Sequence, residues 1–132
     1  MARARLDRNA TAIALNAILK GPTGVEKGIR VLLDTGASCM IIPWKIAEAL
    51  GYRPEAAQRR VEIITVSGVE QAPLITLDAV SVLGEQARNV EVIVHDLPPR
   101  SFVDGLLGLS FLKHFRLTLS LQEEFIELVK PE

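Results

Sequence analysis

Two aliphatic runs are interrupted by a carboxylate and three small residues: VLLDTGASCMII over 31–42, with Asp34-Thr35-Gly36-Ala37 at the break. No other feature limits the fold as strongly. A strand buried on both faces excludes an unpaired Asp, because desolvating its charge is expensive. The apolar strand must therefore end at Leu33, turn, and resume, leaving Asp34 where a polar group is useful. The motif occurs once in the 132 residues. Chemistry that needs two such carboxylates needs two copies of the chain.

The rest of the composition sets bounds. Hydrophobic residues make up 48% of the chain and aromatics only 5%, so Leu, Val, Ile and Ala fill a single core, and residues 1–132 read as one domain. Lys and Arg number 15 against 16 for Asp and Glu, a net charge of −1. That balance supplies no footprint for nucleic acid or an anionic membrane surface. Arg59-Arg60, the densest basic pair after the amino terminus, reads as a solvated strand edge.

A single cysteine, Cys39, excludes an internal disulfide and a cysteine-rich zinc site. A free thiol suits the cytosol, which makes the cytoplasm the favoured location. The spacing offers no HExxH and no acidic calcium loop, so neither metal nor cofactor is expected. The first residues, MARARLDRNATAIALNAILKGP, make a poor signal peptide, because Asp7, Asn9 and Asn16 interrupt them. No run of 18 apolar residues exists to span a membrane. The chain can still be a soluble piece cut from a longer protein.

Along the chain the signals are mostly those of strands. Residues 11–20 alternate, with Ile13, Leu15, Ala17 and Leu19 on one side, and GPTGVEKG (21–28) predicts a hairpin loop. Ile29–Leu33 returns and delivers Asp34. PWKIAEAL then predicts a short helix, with Pro43 at its start and Gly51 as its stop. Strands come next over 61–66, 74–83 and 90–95, separated at Ser67-Gly68 and Pro73. GLLGLSFL (105–112) predicts a strand feeding a short helix, SFLKHF, and RLTLSL with FIELV predicts a closing hairpin. Short strands between turn signals predict an all-β sandwich or partly closed barrel.

Asp34-Thr35-Gly36-Ala37 between apolar strands, ITVSGVEQAPLITL (64–77) about thirty residues later, and DGLLGLSFL (104–112) near the end stand in an informative order. In this order, over about residues 11–129, the chain resembles the retropepsin-like aspartic proteases, including their small bacterial and cellular members. The helix PWKIAEALG is similar to one located after the loop in bacterial members. The resemblance implies an all-β acid-protease barrel with one or two short helices and one lobe per chain. It implies an aspartic endopeptidase acting on peptide or protein substrates as a homodimer.

By the same resemblance, Asp34 is the catalytic acid and meets its symmetry mate, Thr35 bonds across the dimer, and Gly36 and Ala37 complete the active-site loop. Ser67 and Gly68 lie at the tip of a flap, and Leu106, Leu107 and Gly108 brace the loop from below. Retroviral members carry Asp after the Ala and Arg after the late Gly. Ser38 and Leu109 stand there in this chain, so the retroviral acid–Arg pair is missing and its dimer packing does not carry over. The alternative function is a catalytically silent copy of the fold, serving as a dimerisation or peptide-binding module.

Other residues have simpler readings. Asp104 lacks a following Thr-Gly and reads as a turn residue. A Cys39 nucleophile with His95 or His114 as base is the competing chemistry, but no spacing brings the three together. His114 reads as a helix-end residue, and Trp44 and Phe102 read as packing aromatics.

Overall fold

A computed structural model describes residues 2–131. The strands are β1 (Ala2–Arg5), β2 (Ala14–Lys20), β3 (Glu26–Leu33), β4 (Met40–Ile42), β5 (Arg59–Thr65), β6 (Gly68–Val82), β7 (Glu85–Val94), β8 (Gly105–Leu107), β9 (Arg116–Ser120) and β10 (Phe125–Val129). Two short helices, α1 (Trp44–Ala49) and α2 (Leu109–Leu112), and a 3-10 turn at Pro54–Ala56 complete it. Among the described residues no helix is long and apolar enough to cross a membrane.

Strand order β2-β3-β8-β4-β7-β6 closes on itself, because β6 also pairs with β2 through Ala17↔Val82 to Lys20↔Ala79. The result is a closed six-stranded barrel, the all-β class that the sequence predicts. Its interior obeys the period of two: Leu15, Ala17 and Leu19 on β2, Ile29 and Val31 on β3, and Val90, Val92 and Val94 on β7 all point inward and are buried. β5 hangs outside the closure, paired only with the first half of β6. A second sheet, β1-β10-β9, packs Ala2, Ile126 and Leu128 into the same core.

The hairpins appear as expected, with shifted ends. β3 begins at Glu26, which shortens the loop after β2. β6 runs straight through Pro73, where the sequence suggested a break; Pro73 faces Arg60 of β5, and β7 joins β6 only from Leu74 onward. Proline is tolerated there because only one side of β6 has a neighbour. β7 starts five residues earlier than its alternation suggested. Asn89 has φ 54°, and inward positions on either side, Ala87 and Val90, lie three apart, which hides the period.

β1 was not anticipated. Its inward positions are Ala2 and Ala4, too small to register as apolar periodicity, while Arg3 and Arg5 face out. Arg3 lies over the Phe125 ring at 3.8 Å and 3.5 Å from Glu127, so strand β1 is held by its arginines as well as by its ladder. Phe102 corrects the reading of a packing aromatic. It stands 67% exposed in the loop between β7 and β8, at the wall of a cavity it shares with Leu33 and Leu121.

Tyr52, between α1 and the 3-10 turn, ties this corner to β6. Its hydroxyl donates to Asp78 Oδ1 at 3.0 Å and accepts from the Asp78 amide at 2.9 Å. Burial is the main influence and pushes the phenol up to about 12; the Asp78 carboxylate adds to this, against the pull of the amide. The folded state thus holds the proton more tightly than the unfolded chain, whose phenol titrates near about 10. Stability contributed by Tyr52 is complete below about pH 10 and is lost as pH rises towards about 12. Tyr52 is the only tyrosine, so phenolate absorbance reads it alone. A native titration should give a midpoint near 12, and Tyr52→Phe should flatten the alkaline fall in melting temperature between pH 10 and 12.

Candidate active site

The chain leaves β3 at Leu33, crosses as a loop over 34–39, and re-enters the barrel as β4. Between β3 and β4 lies β8, parallel to β3 (Val31↔Gly105 to Leu33↔Leu107) and antiparallel to β4 at Ile41↔Leu106. The loop thus arches over the end of β8 and is fastened both to that strand and to the start of α2. The Asp34 amide donates to the Leu107 carbonyl at 3.1 Å, the Leu109 amide to Ala37 at 2.8 Å, and the Ser110 amide to Ser38 at 2.9 Å.

Within the loop the Asp34 side chain is oriented locally. Its Oδ1 accepts from the Gly36 amide at 2.9 Å, and the Ala37 amide donates to the Asp34 carbonyl at 3.2 Å. A Cβ on Gly36 would stand 3.2 Å from Oδ1, a tight contact that would press on the carboxylate. Asp34 is half-buried, and Thr35 and Gly36 are exposed. Among the described residues the carboxylate has no other hydrogen-bond partner, so one oxygen is fixed and the other is open.

Two glycines let β8 fit. A Cβ on Gly105 would lie 2.0 Å from the Ile41 carbonyl oxygen, and one on Gly108 would lie 2.6 Å from the carbonyl oxygens of both Ala37 and Cys39. No side chain survives such contacts with backbone. Asp104 stitches the start of β8 to β3: its amide donates to the Arg30 carbonyl at 2.8 Å, and its Oδ2 accepts from the Arg30 amide at 2.9 Å. The sequence suggested a turn residue; its bonds run instead to a strand remote in sequence.

The sequence-derived residues fall into two groups. Asp34, Thr35, Gly36 and Ala37 are brought onto Leu106, Leu107 and Gly108, as described. Ser67 and Gly68 form the tip of the β5–β6 hairpin, where Gly68 has φ +122°. Thr65 Oγ1 accepts from the Ser67 amide at 3.2 Å and donates to the Gly68 carbonyl at 3.1 Å, so the tip's hydrogen bonds stay within it. Ile64 and Val69 face each other across the hairpin, exposed together with Val66.

Ser110 is the residue that sequence reasoning missed. It is buried, donates from Oγ to the Glu91 carbonyl of β7 at 2.7 Å, and accepts from the Met40 amide at 3.0 Å. One hydroxyl therefore joins α2, β4 and β7 directly behind the loop. The available signal was a lone Ser inside the apolar run GLLGLSFL. Cys39 lies half-buried in the same region. Burial pushes its thiol up, and the Glu91 carboxylate pushes the same way, outweighing Arg59 and Lys113. A thiol held in the protonated form is a poor nucleophile.

Comparison with known proteins matches this arrangement. Residues 25–114 fit the family model described as "gag-polyprotein putative aspartyl protease". The chain belongs to the retropepsin-like aspartyl protease family. A crystal structure of a retropepsin-like aspartic protease from Rickettsia conorii superposes with a TM-score of 0.69 at 25% identity, covering 96% of this chain and 99% of that one. A curated relative, an uncharacterized protein in the cobV 5′ region of Sinorhizobium sp, is 33% identical over 86 residues. That match spans 65% of this chain and 36% of the relative. The family match embraces the arch, the hairpin and β8, the parts that make up the candidate site.

Ser110→Ala should show how far this site depends on its support. It strips the Glu91 carbonyl and the Met40 amide of a buried partner, each worth about 1–3 kcal/mol when left unsatisfied. Chemical denaturation should report a loss of roughly 2–6 kcal/mol for the two groups together, with the fold retained.

Proposed function

We propose that residues 1–132 act as one protease domain whose working unit is a symmetric homodimer, an aspartic endopeptidase with Asp34 and Asp34 of the second copy as its dyad. The observation that carries this reading is the single Asp34 carboxylate, fixed through one oxygen by the Gly36 amide and open at the other. Membership of the aspartyl protease family supports it. Only a two-fold axis close to Asp34 brings two such groups together in a closed assembly.

The chemistry derives from like charges at close range. Two carboxylates about 3 Å apart repel by roughly 5 kcal/mol at an effective dielectric near 20. One proton is consequently shared, as in aspartic proteases as a class. The ionised carboxylate takes a proton from a bound water as the water oxygen attacks the scissile carbonyl carbon. The protonated carboxyl gives its proton to the carbonyl oxygen, and a tetrahedral diol results. A proton then passes to the amide nitrogen, the C–N bond breaks, and an acid and an amine leave.

Other residues have supporting parts in this proposal. Thr35 bonds across the axis, Gly36 admits the substrate backbone, and Ala37 joins the loop to α2. Leu106, Leu107 and Gly108 hold the loop from below. Ser67 and Gly68 cap a hairpin that closes on bound peptide and excludes water. The exposed Ile64, Val66 and Val69 give that hairpin an apolar underside to lay on the substrate.

Asp34→Asn tests the dyad. An amide neither accepts the water's proton nor shares one, so cleavage of a peptide library should fall by roughly 10²–10⁴-fold or more. Melting temperature should hold or rise, because the substitution removes the repulsion between the pair. Undiminished cleavage would move the chemistry off Asp34. An intact dimer with no cleavage in the wild-type chain would return the protein to a silent binding module.

Gly68→Val tests the hairpin. A β-branched residue at φ +122° is strained by roughly 1–3 kcal/mol, and an exposed tip relieves that strain locally by deforming. Turnover should drop several-fold while the global melting temperature changes little. Without ligand, amides at the tip should exchange quickly, and a peptide-like inhibitor should slow them.

A further inference from the structure

Beside the arch, on the side of Leu33, the surface opens into a cavity of about 840 Å³. Its charges do not balance. Arg5, Arg8 and Arg30 line it against Asp7 and Glu124. Glu124 is already engaged, paired with Arg8 and, at 3.8 Å, with Arg5. Asp7 Oδ1 accepts from the Asn9 amide at 2.9 Å. Among the described residues the Arg30 side chain meets no carboxylate: its Nη1 donates to the neutral Asn16 Oδ1 at 3.1 Å, and most of its donors stay open. Strand β3 sets the place of Arg30 relative to the arch. Ile29 and Val31 point into the barrel, so Arg30 and Leu32 are outward positions, and Asp34 follows two residues further on. Four residues of extended chain put Arg30 about 13 Å from Asp34. Phe102 belongs to the same wall. It lies two residues before Asp104, whose amide is bonded to the Arg30 carbonyl at 2.8 Å, and it lines the cavity while 67% exposed. An exposed aromatic and an arginine without a counter-charge suit a side chain with an apolar stem and an anionic end.

We infer that this cavity selects an acidic side chain, Glu in particular, of the peptide being cleaved, with Arg30 pairing its carboxylate and Phe102 covering its stem. The inference rests on the proposed protease reading, which runs a peptide past Asp34. An extended peptide advances about 3.3 Å per residue, so the residue that reaches Arg30 lies about two to four positions from the scissile bond. Arg30 does not touch the reacting atoms. Its pair is as strong before the transition state as in it, so the selection is expressed in KM rather than in kcat. A Lys or Arg at that position meets a like charge and is rejected.

A peptide library with cleavage sites read by mass spectrometry, followed by kinetics on one cleaved sequence carrying Glu, Gln or Lys at the selected position, tests this. The wild-type chain should select Glu at one fixed position. From Glu to Gln, kcat/KM should fall roughly three- to tenfold, mostly through KM, and it should fall further for Lys. That preference should shrink as salt rises from about 0.05 to 0.5 M, a measurement that needs no variant. Arg30→Gln should make the Glu and Gln peptides equal with kcat kept, and Arg30→Glu should turn the preference to Lys. Arg30→Lys, which keeps the charge, should still favour Glu. Phe102→Ala should raise KM for the Glu peptide several-fold without reversing the charge preference. Cleavage with no acidic preference, a preference that salt leaves untouched, or one that persists in Arg30→Gln would overturn the inference and leave the protease reading standing. A wild-type chain that cleaves no member of the library would instead overturn the protease reading, and this inference with it.

Discussion

Everything near Asp34 depends on β8 lying between two strands that the sequence separates by only six residues. β3 and β4 would pair with each other as a simple hairpin if nothing came between them. β8 intervenes, takes hydrogen bonds from β3 on one side and meets β4 on the other, and leaves residues 34–39 to arch over its end. The geometry is possible because Gly105 and Gly108 present no side chain to the carbonyls of Ile41, Ala37 and Cys39. The position of the carboxylate is set less by its own loop than by two glycines about seventy residues further on.

That arrangement needs an anchor from outside, and Ser110 provides it. A buried hydroxyl that both donates and accepts has its proton and one lone pair paired, so its polarity adds direction at little desolvation cost. Through it, the outer wall of the barrel at Glu91 and the start of β4 at Met40 are referred to the same atom. The arch is held by backbone amides on its inner side and by this one side chain behind, while Thr35 and Gly36 stay at the surface.

Much of this was legible in the sequence, wherever side chains of clear character alternate. Asp34 in an aliphatic run, the Val90-Val92-Val94 face and the closing hairpin all result from the cost of burying charge and from the period of a strand. The β5–β6 hairpin was visible for the same reason. The hidden parts have physical causes too. β1 buries alanines, which carry too little apolar area to mark a face. Asn89 shifts the inward positions of β7 by one. Pro73 marks a break only for a strand flanked on both sides, and β6 is flanked on one side there. Gly105 and Ser110 act through contacts with segments remote in sequence, which no local pattern encodes. Phe102 read as packing because aromatics usually bury their area, whereas here it stands largely exposed at the rim of a cavity.

β6 has one more implication. Its fifteen residues run without interruption from the tip of the outer hairpin into the barrel wall, where β7 and β2 grip the second half. Mechanically this is a cantilever: a clamped base, and a free end stiffened by one neighbour. No loop or glycine between Gly68 and Val82 offers a pivot. Displacement of the tip must be a bend spread along the strand, with a restoring force set in the wall. The stiffness of the hairpin is therefore a property of the barrel, and substitutions buried around Leu77 and Val80 tune the motion of a tip they never touch.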